Sequence, residues 1–163
     1  MKKIDLIKLK KLKLNTNITK RYQKWMNDPE VHQFTEQGKK KHTLNDIRNF
    51  VKEKNNSKNE FLFGIFLKKK SNEIHIGNIK LGPINLASQR ADISYFIGEK
   101  KLWGKGYTTI AIKQIIKFAK KKKLKNIQAG ADFLNYGSHR VLIKSGFKIK
   151  KKLKLSSIYL YKI

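Results

Sequence analysis

Cysteine is absent from the 163 residues, which excludes disulfides, thiolate metal sites and a cysteine nucleophile. Long apolar runs are missing as well. No stretch approaches the ~20 apolar residues that cross a bilayer. The basic start Met1-Lys2-Lys3 leads into Ile4 to Leu14, which Asp5 and repeated Lys interrupt, so no signal peptide is expected and the chain is predicted to be cytoplasmic. Acidic residues are scarce, 11 against 39 Lys and Arg, for a formal net charge of +28. Such an excess raises nucleic acid or an anionic membrane as a partner. Arginine is scarce too, however: only Arg21, Arg48, Arg90 and Arg140 occur, and a dedicated nucleic-acid surface leans on Arg for bidentate contacts. The rest of the charge is Lys, dispersed along the chain among many Ile and Asn as an A+T-rich coding sequence would produce. Neither a specific nucleic acid nor a membrane is therefore expected, although non-specific polyanion binding at low salt is.

The length suits one domain, 1–163, with a single substantial core; no repeat or linker interrupts it. Leu and Lys alternate imperfectly from Leu6 to Leu14 and predict a first strand. Thr16 to Thr19 offer caps for a helix carrying Tyr22, Trp25 and Met26. Asn27-Asp28-Pro29 turns the chain, and a short helix follows over Val31 to Phe34. Glu36 to Lys41 reads as a solvated loop. Thr43 caps the next helix, whose apolar face is Ile47, Phe50 and Val51. Strands are predicted over Glu60–Leu67, Glu73–Leu81 and Arg90–Ile97. A helix with Ala111, Ile115, Phe118 and Ala119 at one face ends in Lys120 to Lys123, which suit the negative end of its dipole. A strand over Asn126–Phe133, a helix over Ser138–Ser145 closed by Gly146, and a hairpin of Phe147–Leu155 with Ser157–Ile163 complete the pattern.

The chain is organised around Lys101-Leu102-Trp103-Gly104-Lys105-Gly106-Tyr107-Thr108-Thr109, a turn between strand and helix. The first N–H groups of a helix lack intrahelical partners, and with the positive end of the dipole they suit a phosphate. Gly104 and Gly106 let the backbone approach a ligand and take up positive φ. Neither G-x-G-x-x-G nor G-x-x-x-x-G-K-[ST] is present, so this is neither a dinucleotide fingerprint nor a P-loop. An ordinary turn before a helix fits the spacing equally.

Lys101 with Gly104 and Gly106 resembles the acetyl-coenzyme A pyrophosphate loop of the GNAT superfamily of N-acetyltransferases, Arg/Gln-x-x-Gly-x-Gly/Ala, with Lys in place of Arg or Gln. Trp-Gly-Lys-Gly-Tyr resembles the branch that holds the ribosomal-protein alanine, amino-sugar and polyamine acetyltransferases. Asn135, Ser138 and Gly146-Phe147 are similar to that branch's Asn-x-x-Ser...Gly-Phe, and Trp25 to Val31 to its N-terminal helix turn.

The resemblance implies an α/β fold, a mixed and mostly antiparallel sheet flanked by helices in the order β-α-α-β-β-β-α-β-α-β-β. It implies acetyl-coenzyme A as cosubstrate and no metal. Tyr95, Phe96 and Ile97 would offer main-chain hydrogen bonds to the pantetheine arm where two strands splay. The N–H groups of Leu102, Trp103, Gly104, Lys105, Gly106, Tyr107 and Thr108 would take the pyrophosphate. Lys101 and Lys105 would add point charges, and Asn135 would bind the cofactor or order a water. Asp92 stands where the branch carries a Glu base; it reads equally as an exposed strand residue paired with Arg90 or a lysine. His75 is the second candidate base, or a packed histidine. Leu142 replaces the family's acidic Tyr, leaving Ser138 as proton donor unless it is only a helix cap. The thiolate can also leave without a dedicated acid. The region between the first helices would cover the acceptor. The basic field disfavours a free polyamine and ranks a nucleotide-linked amino sugar first, then a protein N-terminus. A homodimer stays open. The competing class is a non-catalytic basic module of the same fold that binds RNA or another polyanion.

Overall fold

Seven strands form one sheet in the order β1-β2-β3-β4-β5-β7-β6 in a computed structural model that describes residues 6–69 and 71–163. The basic start at residues 1–3 lies outside them. In chain order the elements are β1 (Ile7–Lys10), α1 (Lys20–Met26), α2 (Pro29–His32), α3 (Leu44–Asn56), β2 (Phe61–Lys69), β3 (Asn72–Asn85), β4 (Arg90–Ile97), α4 (Tyr107–Lys121), β5 (Asn126–Asp132), α5 (Tyr136–Lys144), β6 (Lys148–Lys152) and β7 (Ser156–Lys162). Every pairing is antiparallel except β4 with β5. The mixed, mostly antiparallel sheet follows the predicted order, with three helices rather than two between β1 and β2.

Two cores lie on the two faces. One packs Ile65, Ile79, Ile93 and Ile127 of the sheet against Ala111, Ile112, Ile115 and Ala119 of α4 and Leu142 of α5. The other packs Leu62 and Phe66 against Tyr22, Trp25 and Met26 of α1 and Ile47 and Val51 of α3. Each fully buried Ile or Leu adds roughly 2 kcal/mol of apolar transfer free energy. The first strand stops at Lys10, short of the predicted Leu14, because Leu12 turns away from the sheet into the second core. β3 runs on past Leu81 through Gly82-Pro83 to Asn85, with a register shift between Leu81 and Ile84 that absorbs the two residues. Glu36–Lys39, expected as open loop, winds into a 3-10 turn.

Helix starts follow local chemistry. Thr19 accepts from the Tyr22 N–H, Asp28 from that of Glu30, and Thr43 and Asp46 form a reciprocal capping box. Lys122, in the predicted basic terminus of α4, places its ammonium nitrogen over the Phe61 ring, 4.8 Å from the ring centre, a cation–π contact.

Candidate active site

The parallel ladder between β4 and β5 is short. It pairs Arg90 with Asn126, Ala91 with Ile127 and Asp92 with Gln128, and there it stops. β4 runs on to Ile97 with β3 on its other side, and β5 runs on to Asp132 with β7 on its other side. The facing edges of Ile93–Ile97 and Ala129–Asp132 are thus free to hydrogen-bond something laid between them. Tyr95, Phe96 and Ile97 all lie on this stretch. The Ile97 carbonyl also accepts from the Trp103 indole N–H at 2.7 Å, which pins the following loop to the strand end.

That loop leads into the one α-helix among the described residues that starts without a side-chain cap. α5 is capped by Asn135, so α1, α2, α3 and α5 each have a capping side chain, whereas α4 begins at Gly106 with φ +82° and none. The first N–H of α4 to meet a carbonyl is that of Ile110, on Gly106 O at 3.2 Å. Tyr107, Thr108 and Thr109 therefore present N–H groups outward. Gly104 has φ +73°, and a Cβ built on it meets nothing within 4 Å. Lys101 and Lys105 are exposed beside it, while Leu102 is half-buried against the core under α4. Open space, uncapped donors and two ammonium groups suit a phosphate-bearing ligand, and Trp103 fixes the loop that carries them.

Side chains on β4 alternate between the two cores. Tyr95 points to the α4 and α5 side, where its hydroxyl meets Ser138 Oγ at 2.8 Å. Burial pushes the Tyr95 phenol up to about 12, with the Ser138 hydrogen bond opposing, so it stays protonated. Either hydroxyl can donate in this pair, and in the arrangement where Tyr95 donates to Ser138 Oγ the Ser138 O–H is left to donate in turn. Ser138 is not the cap of α5: its own N–H is received by Asn135 Oδ1 at 3.0 Å. Asn135 thus spends one amide oxygen on the helix start and keeps its NH₂ group. Leu142 is fully buried and supplies no proton.

Asp92, Ser94 and Phe96 take the other face. Asp92 is exposed, and among the described residues it forms no ion pair with Arg90 or any lysine. Ser94 and Phe96, the next residues along that face, line a cavity of about 330 Å³ between β4 and α1–α3. Its walls include Tyr22, Met26, Ile47, Phe50 and Phe96, with His32 and Asn78 among the polar groups. Phe50, expected in the core, is 38% exposed because it forms part of this wall. The Tyr95–Ser138 contact had no counterpart in the sequence, since it joins elements distant along the chain, and the cavity adds walls from β2, β3 and β4 to the region between the first helices.

His75 is 6% exposed, stacked on Phe66 with ring centroids 5.1 Å apart, and its Nε2–H donates to Asn78 Oδ1 at 2.8 Å. Asn78 in turn donates to the Tyr22 hydroxyl. This is a packed histidine rather than a base. Burial pushes its imidazole down to about 4, against the hydrogen bond that favours the charged form. Below its unfolded pKa of about 6.5 the unfolded chain takes up a proton that the native state refuses until about pH 4, so stability is full above 6.5 and drains away across that window. Between pH 7 and pH 5 this one group lowers the unfolding free energy by about 2 kcal/mol. Urea unfolding at the two pH values checks it: His75→Gln, which keeps a donor for Asn78, narrows the difference by that amount. Equal differences in both proteins would mean that His75 charges freely in the fold.

Among the described residues no three His, Asp or Glu side chains gather as metal ligands, and no helix is long and apolar enough to cross a membrane. Comparison with known proteins agrees with the fold. The family model described as acetyltransferase (GNAT) domain matches residues 13–148. A probable N-acetyltransferase of Bacillus subtilis (strain 168), YjcK, is 37% identical over 106 residues, 61% of this chain; the match spans 57% of that protein's length. A spermidine N-acetyltransferase from Vibrio cholerae, solved with CoA and spermine, superposes with a TM-score of 0.79 at 13% identity over 97% of this chain and 96% of its own. The microcin C7 self-immunity acetyltransferase MccE, solved with acetyl-CoA and AMP, gives 0.78 at 19% identity over 98% and 93%. At such identities the two structures speak for the fold, and the family model, matching most of the sequence, speaks for descent: the chain belongs to the GNAT acetyltransferase domain family.

Proposed function

We infer that this chain, as a single domain over 1–163, is a cytoplasmic acetyl-coenzyme A-dependent N-acetyltransferase that acts by direct transfer to a primary amine. The observation that carries this is the ladder between β4 and β5, which stops after Asp92 and Gln128 and leaves two unpaired strand edges leading to the uncapped start of α4. The solved relatives described with CoA or acetyl-CoA support the choice of ligand. Acetyl-coenzyme A supplies the activated acyl group as a thioester.

The chain's own residues do the rest. The main chain of Tyr95, Phe96 and Ile97 holds the pantetheine arm. Leu102 to Thr108 offer N–H groups to the pyrophosphate, Lys101 and Lys105 add charge, and Asn135 turns its NH₂ group to the cofactor or a water. Asp92, exposed on the cavity face of β4 and without an ion pair among the described residues, accepts the amine proton directly or through a water. Ser138, held by the neutral Tyr95 phenol, donates to the departing sulfur. The cavity between β4 and α1–α3 receives the acceptor, a nucleotide-linked amino sugar or a protein N-terminus. Spermidine is the acceptor of one structural relative; the +28 charge works against it here.

Calorimetric titration of acetyl-coenzyme A at moderate and high salt, with ATP as polyanion control, tests the site. Saturable binding that survives salt and exceeds that of ATP is expected. Equal, salt-sensitive binding of both would favour a basic module that binds polyanions. For the chemistry, Asp92→Asn and Ser138→Ala each lower kcat by roughly 100-fold, a general acid–base contribution, while acetyl-coenzyme A affinity holds. An unchanged kcat in either variant would reduce that residue to a structural part.

A further inference from the structure

The last carboxylate side chain of the sequence is Asp132. Residues 133–163 hold eight Lys or Arg and no Asp or Glu. The same stretch carries seven of the ten large hydrophobic side chains exposed among the described residues. Five of the seven lie on two segments that a backbone hydrogen bond joins at one corner of the sheet. The Phe133 N–H donates to Leu155 O at 2.9 Å, tying the β5–α5 loop to the β6–β7 turn. Phe133, Leu134 and Tyr136 belong to the first of these joined segments and Leu153 and Leu155 to the second, all between 43% and 72% exposed. Alongside runs β6, the outermost strand, whose Lys148, Lys150, Lys151 and Lys152 are exposed, and Lys154 sits between the two leucines.

An occupant of this corner must take in aliphatic side chains and counter lysine at the same time. A second copy of the chain in a symmetric contact would bring together two edges that each set the exposed Lys148, Lys150, Lys151, Lys152 and Lys154 against a single carboxylate, Asp132. RNA supplies the negative charge, but a phosphate backbone gives Leu134, Leu153 and Leu155 nothing apolar to enter. A bilayer with anionic head groups meets both needs: its acyl region receives the leucines and aromatics while phosphates face the lysines. We propose that this corner docks the protein peripherally onto an anionic lipid bilayer. The contact is separate from any span, and none is required. Asn135 and Ser138 open α5 from the same loop, so docking holds the mouth of the cleft beside the head groups.

Co-sedimentation of the full chain with vesicles tests this, using phosphatidylcholine alone and with about 30% phosphatidylglycerol, at about 0.1 M and 0.5 M NaCl to vary screening. Binding to the mixed vesicles at the lower salt is expected, with roughly tenfold less on phosphatidylcholine. The double variant Leu153→Ser/Leu155→Ser keeps every charge and loses about tenfold in binding to the mixed vesicles, with its melting temperature unchanged because both side chains are exposed. Leu155→Ser alone replaces it if the double variant is unstable. Wild-type binding in the Ser variants would mean that charge alone attracts the lipid and would overturn the proposal. So would a wild-type dimer in light scattering that the Ser variants turn into monomer without any vesicle binding. RNA affinity that falls in the Ser variants while vesicles are ignored would equally assign the corner elsewhere.

Discussion

Gly104→Glu removes acetyl-coenzyme A binding and leaves the protein folded. Gly104 sits at φ +73° with no atom within 4 Å of the position a Cβ would take, so a larger side chain meets no protein. It projects instead into open space near the uncapped start of α4, where the pyrophosphate is proposed to lie, and a carboxylate there would oppose phosphate charge directly. A non-glycine residue in the left-handed region costs about 1 to 2 kcal/mol, which lowers the melting temperature by a few degrees at about this chain length. Acetyl-coenzyme A affinity, by contrast, falls by about 100-fold or more, roughly 3 kcal/mol. Gly104→Asn separates the two effects, since Asn tolerates positive φ and brings no charge; its affinity lies between those of the wild type and Gly104→Glu. Calorimetry reads affinity and thermal melting reads stability. Micromolar affinity retained in Gly104→Glu would place the pyrophosphate elsewhere.

Much of this loop was readable because its determinants are local. Two glycines between an apolar strand and an amphipathic helix specify a turn with free donors, and the structure has Gly106 at φ +82° opening α4. The capping box of Thr43 and Asp46 and the face formed by Ile47 and Val51 were legible for the same reason. At the start of α5 two cap-forming residues compete three positions apart, Asn135 and Ser138. Spacing alone does not choose, and the fold does so by engaging the Ser138 hydroxyl with Tyr95.

What stayed hidden depends on register or on distant packing. In a regular strand, residues three apart face opposite ways. In β3 the pairing steps from Ile65 with Gly77 to Phe66 with His75, leaving Ile76 as the extra residue of a bulge. His75 and Asn78 thereby share a face and hydrogen-bond, while Ile76 and Ile79 share the core under α4. No pattern in the sequence marks that step, and it is what turns a candidate base into a buried, neutral side chain. The contact of Tyr95 with Ser138 spans 43 positions, and the cavity draws its walls from three helices and three strands.

Gly98→Ala lowers the melting temperature by about 10 °C, the effect of roughly 3 kcal/mol in a chain of about this size. A Cβ on Gly98 would lie 2.1 Å from Cδ2 and 2.2 Å from Cγ of Trp25, so the indole has to move. It is held from several sides. Its Nε1–H donates to Glu99 Oε1 at 3.2 Å, the Arg21 guanidinium lies 5.3 Å from its ring centre, and His75 packs edge-on at 5.2 Å. Lys100 ties Asp28 and Glu30 to the same strand end at 3.0 and 2.7 Å. Overpacking of this kind, at a clamped aromatic rather than a flexible chain end, falls at the upper part of the usual range. Trp25→Leu frees the space, so Gly98→Ala costs far less in that background than alone, a coupling that a double-mutant cycle measures. The functional consequence is directional. α1 supplies Tyr22 and Met26 to the cavity wall, whereas Trp103 holds the glycine loop to Ile97 O without help from α1. At a temperature where the variant is folded, the acceptor KM rises while acetyl-coenzyme A affinity changes little. A melting temperature within about 2 °C of wild type, less than 1 kcal/mol at this size, would show that the indole yields freely and that this helix is not locked to the end of β4.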